Sequence, residues 1–227
     1  DMLYEASLLH QVPRLRETAL FVIGLAIKNY PQIITKVDTD KRITDLINAF
    51  EPSLHIDEQQ QSNIPPGRLR IFTRYASIIY HLSSAWKGNL FESRINTYFD
   101  KFYEILGVLF NYGISNDDHL LIQNASEALN QLIFNATSDL SPRLGDLYKI
   151  TLDYLEQSKT QSFAPEIRFL IQSSFCSNIS TLLLKLKRLA KPCNYETIST
   201  YAGRTLELLY ELLSNKDTYI YEEGLMA

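Results

Sequence analysis

The feature that most constrains the fold is a helical pattern that returns about every fifty residues. Pro13 opens its first instance, and apolar residues then follow at helical spacing as far as Ile27. A period of this length is typical of a helical repeat array, in which each unit packs only against its neighbours. The register of the repeats is indicated by a small residue after the first turn of each recurring helix, at Ala19, Thr73, Ala125, Ser174 and Gly224.

Composition supports an all-α fold. Only eight glycines and eight prolines occur among 227 residues, which favours long helices over many short strands and tight turns. The net charge of −4 gives no basic face for nucleic acid, and no apolar run is long enough for membrane insertion. We therefore expect an α-solenoid of about four and a half stacked helical hairpins.

The helix pairs predicted from periodicity and breakers cover roughly residues 1–30, 40–87, 91–136, 141–190 and 194–227. The first helix of each pair is expected on the convex side and the second on the concave side. Because helical patterns run up to both ends, we expect the chain to be one solenoid segment of a longer protein. The individual helices are predicted at about Leu3–Leu9, Pro13–Asn29, Lys41–Leu54, Arg68–Trp86, Phe91–Tyr112, Asp117–Phe134, Asp139–Gln157, Pro165–Leu189, Tyr195–Leu213 and from Thr218 onward.

No motif predicts catalysis. The sequence has no Gly-rich phosphate loop, no HExxH and no GxSxG, and its two cysteines, Cys176 and Cys193, lack a neighbouring ligand pair. None of the four histidines pairs by spacing with a nucleophile. The sequence therefore predicts no enzyme, no metal site and no cofactor, and a binding function is favoured over an all-α enzyme with a site between helices.

Four short motifs of this chain resemble motifs of one known protein family, in the same order and at similar spacing. They are Arg16–Gly24 (RETALFVIG), Tyr75–Ser77, Ala125–Leu129 and Tyr221–Ala227. The first resembles the R-D-T-A-A-W-T-x-G pattern that opens an inner helix in the middle of the importin-β (karyopherin-β) family of nuclear transport receptors. The resemblance implies that the hairpins are HEAT-type repeats from the central part of importin-β, roughly the ninth to thirteenth, wound as a right-handed superhelix.

The resemblance also implies partners and a location. Members of the family clamp a basic helical segment of an importin-α-type adaptor, or a basic cargo signal, on their concave face and release it to Ran-GTP. They contact Phe-Gly nucleoporins between outer helices and move between cytoplasm and nucleus through the nuclear pore. Aromatic and acidic residues form the clamp, and the positions of this chain that match them are Phe21, Tyr75, Glu127, Glu222 and Glu223.

Two departures from the family pattern weaken the predicted clamp. Lys28 stands two turns beyond Phe21 where the family has a glutamate, and Gln131 replaces another acidic residue. Packing between neighbouring repeats is an alternative role for Phe21 and Tyr75. The alternative function is a HEAT-repeat scaffold of another multiprotein complex, such as a phosphatase or kinase assembly, which requires no preference for a basic helical peptide.

Overall fold

The computed structural model describes residues 11–32, 39–54, 56, 61–85, 92–136, 140, 143–160, 163–189 and 192–214. Within these ranges the regular structure is helical, and no strand is present. The helices predicted at Leu3–Leu9 and from Thr218 onward lie outside the described residues. The long helices are α1 (Pro13–Asn29), α2 (Thr39–Leu54), α3 (Pro66–Ala85), α4 (Glu92–Ser115), α5 (His119–Asn135), α6 (Leu144–Thr160), α7 (Pro165–Leu189) and α8 (Pro192–Ser214).

The helices predicted within these ranges are all present, with ends displaced by a few residues. α1 begins at Pro13 as predicted, because the fixed φ of proline suits a first turn and its missing N–H would have no partner there. α3 begins at Pro66, two residues before the predicted Arg68. α4 continues past Gly113, where the sequence predicted its end, to Ser115.

Helix contacts divide the chain into two compact units, Asp1–Asn135 and Ala136–Ala227. In the first unit α3 packs against both α1 and α5, and α4 packs against α5, α3 and α2. In the second unit α6 packs against both α7 and α8. Two of the predicted pairs therefore pack as expected, α4 with α5 and α6 with α7. In addition, the second helices of the first three pairs, α1, α3 and α5, pack side by side in a continuous row.

An aromatic cluster on α3 forms the centre of the first unit. Phe72 is fully buried, with its ring edge-on to Phe50 of α2 at a centroid distance of 5.9 Å and stacked on Tyr112 of α4 at 5.5 Å. Tyr75, one turn further along α3, lies 3.9 Å from Phe50 between ring centroids. These contacts join α3 to α2 and α4, the two helices that precede and follow it.

The turn between α4 and α5 depends on a close backbone approach. A Cβ at Gly113 would lie 2.7 Å from Cγ1 of Ile122 and 3.3 Å from its backbone nitrogen, so only glycine fits without displacement. Asp117 then takes a positive φ of 50°, and the carboxylate of Asp118 accepts a hydrogen bond of 3.0 Å from the N–H of Leu121. The acidic cap that the sequence predicted for this helix is therefore supplied by Asp118.

Burial repeats with a spacing of 50 residues in α3, α5 and α7. Seven buried positions of α3 coincide with seven of α5 and seven of α7 when the numbering is shifted by 50 (71, 121 and 171 for the first). This regularity confirms the period predicted from the sequence. The matched positions are Ile71, Phe72, Tyr75, Ala76, Ile78, Ile79 and Leu82; Leu121, Ile122, Ala125, Ser126, Ala128, Leu129 and Leu132; Ile171, Gln172, Phe175, Cys176, Asn178, Ile179 and Leu182.

The predicted register of small residues is wrong, although the period is right. In the burial pattern Ala125 matches Tyr75 and Phe175, which are large, while Thr73 and Ser174 are only half-buried. One equivalent position holds a small residue in each of α1, α3, α5 and α7. It is occupied by Ala76, Ser126 and Cys176, which are at most 2% exposed, and by the buried Gly24 in α1. Because each of these lies at the centre of its buried stripe, the volume of its side chain limits how closely neighbouring helices approach.

Ion pairs join the first and third helices of the second unit. Arg204 of α8 donates to Oδ1 of Asp153 on α6 at 2.8 Å and also binds Glu156, while Lys149 binds Oδ2 of Asp153 at 3.0 Å. Lys159 and Glu211 form a further pair between the same helices. Burial alone would raise the pKa of Asp153, but the hydrogen bonds from Arg204 and Lys149 outweigh it, so that pKa lies below the ordinary 3.8.

Because the pKa of Asp153 is lowered in the folded chain, the free energy of unfolding of the second unit depends on pH. A carboxyl whose pKa is lower in the folded than in the unfolded state stabilises the fold above the unfolded value, and this contribution disappears as pH falls through the folded value. We therefore expect the free energy of urea unfolding to fall less between about pH 5 and about pH 3 for Asp153→Asn than for the unchanged chain. Asp146→Asn, in the exposed first turn of α6, is the control; an equal effect there would contradict the assignment.

Candidate functional site

The second helices of the first unit share an exposed surface. α1, α3 and α5 lie side by side, and each turns its buried stripe inward. Side-chain contacts cross from helix to helix, and the hydroxyl of Ser77 on α3 donates to the amide oxygen of Asn124 on α5 at 2.8 Å. We call this surface the α1–α3–α5 face and define it by Phe21, Leu25, Arg74, Ser77, His81, Asn124, Glu127 and Gln131.

Phe21 is the exposed aromatic residue of this face. Its side chain is 43% exposed, and the guanidinium carbon of Arg74 lies 4.6 Å from its ring centroid. A guanidinium at this distance is attracted to the negative face of the ring. Phe21 and Arg74 line a shallow groove between α1 and α3, open to solvent, together with Leu25, Ser77 and His81. The structure therefore places Phe21 where a partner can reach it, and its part in partner binding stays a prediction.

Tyr75 does not lie on this face, and its prediction as a partner-binding residue is wrong. It is 2% exposed, packed on Phe50, and its hydroxyl accepts a hydrogen bond of 3.1 Å from Arg16. Burial raises the pKa of Tyr75 although the charge and hydrogen bond of Arg16 oppose the shift. Its physical role is to join the first turn of α1 to the core of α3, the packing alternative left open by the sequence.

Glu127 is exposed on the outer row of α5, where its carboxylate accepts a hydrogen bond of 3.0 Å from the side-chain amide of Gln123. Gln131, one turn further on, accepts a hydrogen bond of 3.2 Å from Ser84 of α3. Glu222 and Glu223 lie outside the described residues. Of the three predicted acidic residues, Glu127 is therefore the one that lies within the described residues.

The charges near the groove are mainly positive. Lys28 and Arg70 are exposed, and Arg74 is partly exposed. Glu17 forms ion pairs with Arg70 and Arg74. Burial, and after it the charge of Lys28, lowers the pKa of His81, so this imidazole is neutral at pH 7. Among the described residues, the groove at Phe21 therefore lacks the acidic surroundings that the predicted clamp for a basic helix requires.

The sequence analysis missed the ionic link between α1 and α3. Glu17 receives hydrogen bonds of 3.2 Å from Nε of Arg70 and from Nη2 of Arg74. These residues are 53 and 57 positions apart from Glu17, which is one repeat or one repeat plus one turn. Opposite charges separated by the repeat length are a signal that aligning the two helices could have found.

The described residues contain no group of three or more histidine, cysteine, aspartate or glutamate side chains arranged to hold a metal ion. Within the same part of the chain, no helix combines the length and the apolar character that a membrane crossing needs.

Neither protein-family models nor curated proteins match the sequence. Among solved structures, the chain resembles one titled "Crystal Structure of Importin Beta in an Ammonium Sulfate Condition", with a TM-score of 0.65 and 15% sequence identity. The similarity covers 99% of this chain and 24% of that one. This chain has the HEAT-repeat α-solenoid fold. It spans about a quarter of the importin beta chain that it matches, and at this identity the likeness establishes the fold.

Proposed function

We propose that this chain is a segment of an importin-β-like nuclear transport receptor that binds an adaptor or cargo on the α1–α3–α5 face during nuclear import. The observation that carries the proposal is the fold similarity to importin beta over 99% of the chain. The family motif at Arg16–Gly24 supports it, because Arg16 and Glu17 bond to α3 and Phe21 lies exposed between α1 and α3. Release by Ran-GTP, contacts with Phe-Gly nucleoporins and movement between cytoplasm and nucleus belong to the same proposal.

The face offers two kinds of contact to such a partner. Phe21 and Leu25, 43% and 38% exposed, provide an apolar anchor at the groove between α1 and α3. Asn124 and Gln131, seven residues apart on α5, present amides on one row. The amide oxygen of Gln131 already accepts hydrogen bonds from Ser84 and Asn135, so its NH2 group is the part that can donate to a partner backbone. An exposed aromatic residue beside polar groups is a common composition for binding surfaces.

A HEAT-repeat scaffold of another complex is the second candidate, and the charge of the groove favours it. A basic adaptor helix would meet Lys28, Arg70 and Arg74 near Phe21, and like charges at an interface oppose binding. A scaffold has no such constraint, since its partner need not be basic.

The test is binding of a fluorescently labelled basic helical peptide of the importin-α adaptor type, and of Ran loaded with GTP, to the chain at low salt. A transport-receptor segment is expected to bind at least one of the two. Phe21→Ala is expected to weaken peptide binding by at least about threefold, the scale of one cation–π contact.

Tyr210→Ala is the matched control for this experiment. Tyr210 is an aromatic residue of α8 in the second unit and is 73% exposed, so its removal tests whether any exposed ring has the same effect. Equal losses in both variants would remove Phe21 from the proposed site. Absence of binding to both ligands would favour the scaffold.

A further inference from the structure

We propose that an arginine cluster at the N-terminal ends of α1 and α3 is a docking surface for an acidic segment of a partner protein. This inference does not rest on the proposed transport function, since it concerns a partner of opposite charge and a surface that shares only Arg74 with the α1–α3–α5 face. The cluster consists of Arg14, Arg16, Arg68, Arg70 and Arg74.

Parallel packing of the two helices brings these residues together. The Cβ of Pro13, at the start of α1, lies 3.8 Å from where a Cβ at Gly67 would stand, at the start of α3. Further along, a Cβ at Gly24 would be 3.7 Å from Cγ1 of Ile78, so the helices stay side by side in the same direction. Their N-terminal turns therefore form one surface rather than two separate ends.

This surface has a large positive excess. The stretches 13–18 and 66–74 contain five arginines and one acidic residue, Glu17, so their net charge is +4, whereas the whole chain carries −4. The first turns of α1 and α3 contain no acidic residue. In contrast, α5 begins with the carboxylate cap of Asp118. No side chain caps the N-terminus of α1, so the positive end of its helix dipole adds to the charge of the arginines.

Glu17, the one acidic residue of these two stretches, is paired with two arginines and mostly buried. Glu17 binds both Arg70 and Arg74, and its side chain is 15% exposed, whereas that of Arg70 is 59% exposed. Arg14 is exposed and forms no ion pair with a described residue. Arg16 donates to the hydroxyl of Tyr75, and the guanidinium of Arg68 lies 5.8 Å from the ring centroid of Phe72. These last two contacts orient the guanidiniums of Arg16 and Arg68.

The N-terminal end of α1 also carries exposed apolar side chains, which restricts the kinds of partner segment that can bind there. Val12 and Leu15 are 49% and 50% exposed and alternate along the chain with Arg14 and Arg16. A segment with carboxylates and apolar side chains interspersed satisfies both features, because carboxylates pair with guanidiniums in a bidentate geometry while apolar side chains cover Val12 and Leu15. Nucleic acid would pair with the arginines but leave Val12 and Leu15 against phosphate or water.

The test is fluorescence anisotropy of the chain with a labelled peptide in which glutamates alternate with leucines, at about 50 mM and 200 mM salt. We expect binding that weakens with salt, and a loss of about tenfold in Arg14→Ala, Arg70→Ala, the scale of two charge-assisted contacts of under 1 kcal/mol each. Glu17 keeps Arg74 as a partner in this variant, and circular dichroism checks that it folds.

Lys41→Ala, Lys101→Ala is the matched control, because it removes the same charge from α2 and α4, outside the cluster. The proposal is overturned by an equal loss in this control, by no binding at low salt, or by tighter binding of single-stranded DNA or of vesicles of anionic phospholipid than of the acidic peptide. A failure with the basic peptide and Ran-GTP in the earlier experiment leaves this outcome unaffected, so the two proposals fail separately.

Discussion

Replacing Phe72 with alanine is expected to lower the free energy of unfolding of the first unit by about 3–5 kcal/mol. Phe72 is fully buried and contacts Phe50 on α2 and Tyr112 on α4, so its removal leaves a cavity at the point where three helices meet. Alanine also loses the edge-on and stacked ring contacts, which add to the cost of the cavity. Urea unfolding followed by circular dichroism measures the change.

Phe21→Ala is the control for this prediction, because it deletes the same side chain from an exposed position. We expect its effect on unfolding to stay below about 1 kcal/mol, the scale of an exposed cation–π contact with Arg74. A loss for Phe21→Ala as large as that for Phe72→Ala would contradict the burial of the two rings. A small loss also makes Phe21→Ala suitable for binding experiments, since any weakening is then not due to unfolding.

The fold was predictable because its main signal is local. Periodic apolar residues and proline starts predicted the helices of the described ranges, and their return every fifty residues predicted the repeat. The hand of the superhelix stays a prediction. The equivalent small position was misassigned because several small residues lie within one turn of each helix, and periodicity does not tell which one faces the neighbour. Burial identifies it as Gly24, Ala76, Ser126 and Cys176.

The candidate site was less predictable, because exposure depends on contacts between repeats. Phe21 and Tyr75 are both aromatic residues on amphipathic helices, yet Phe21 is 43% exposed and Tyr75 is 2% exposed. The difference arises from Phe50, which covers the ring of Tyr75, and from Arg16, which covers its hydroxyl. Neither contact can be derived from the helix that carries Tyr75. The resemblance to importin-β likewise gave no indication that Arg70 and Arg74 of α3 pair with Glu17 of α1.

Ala76→Leu is expected to destabilise the first unit by about 1–3 kcal/mol through overpacking. Ala76 has no exposed surface, and its counterparts Gly24, Ser126 and Cys176 are also small and buried. Three added carbon atoms therefore have to displace a neighbouring helix or adopt a strained rotamer. Thr73→Leu, one turn earlier on α3, is the control, because it introduces the same residue at a half-buried position.

The two substitutions separate the register seen in the structure from the one that the sequence predicted. In the predicted register Thr73 is the small residue at the helix crossing, so Thr73→Leu should be the more damaging change. In the structure Ala76 holds that place, and Thr73→Leu is expected to change the midpoint of urea unfolding little. A larger loss for Thr73→Leu than for Ala76→Leu would therefore show that α3 is rotated about its axis relative to α1 and α5, and would also change which residues form the α1–α3–α5 face.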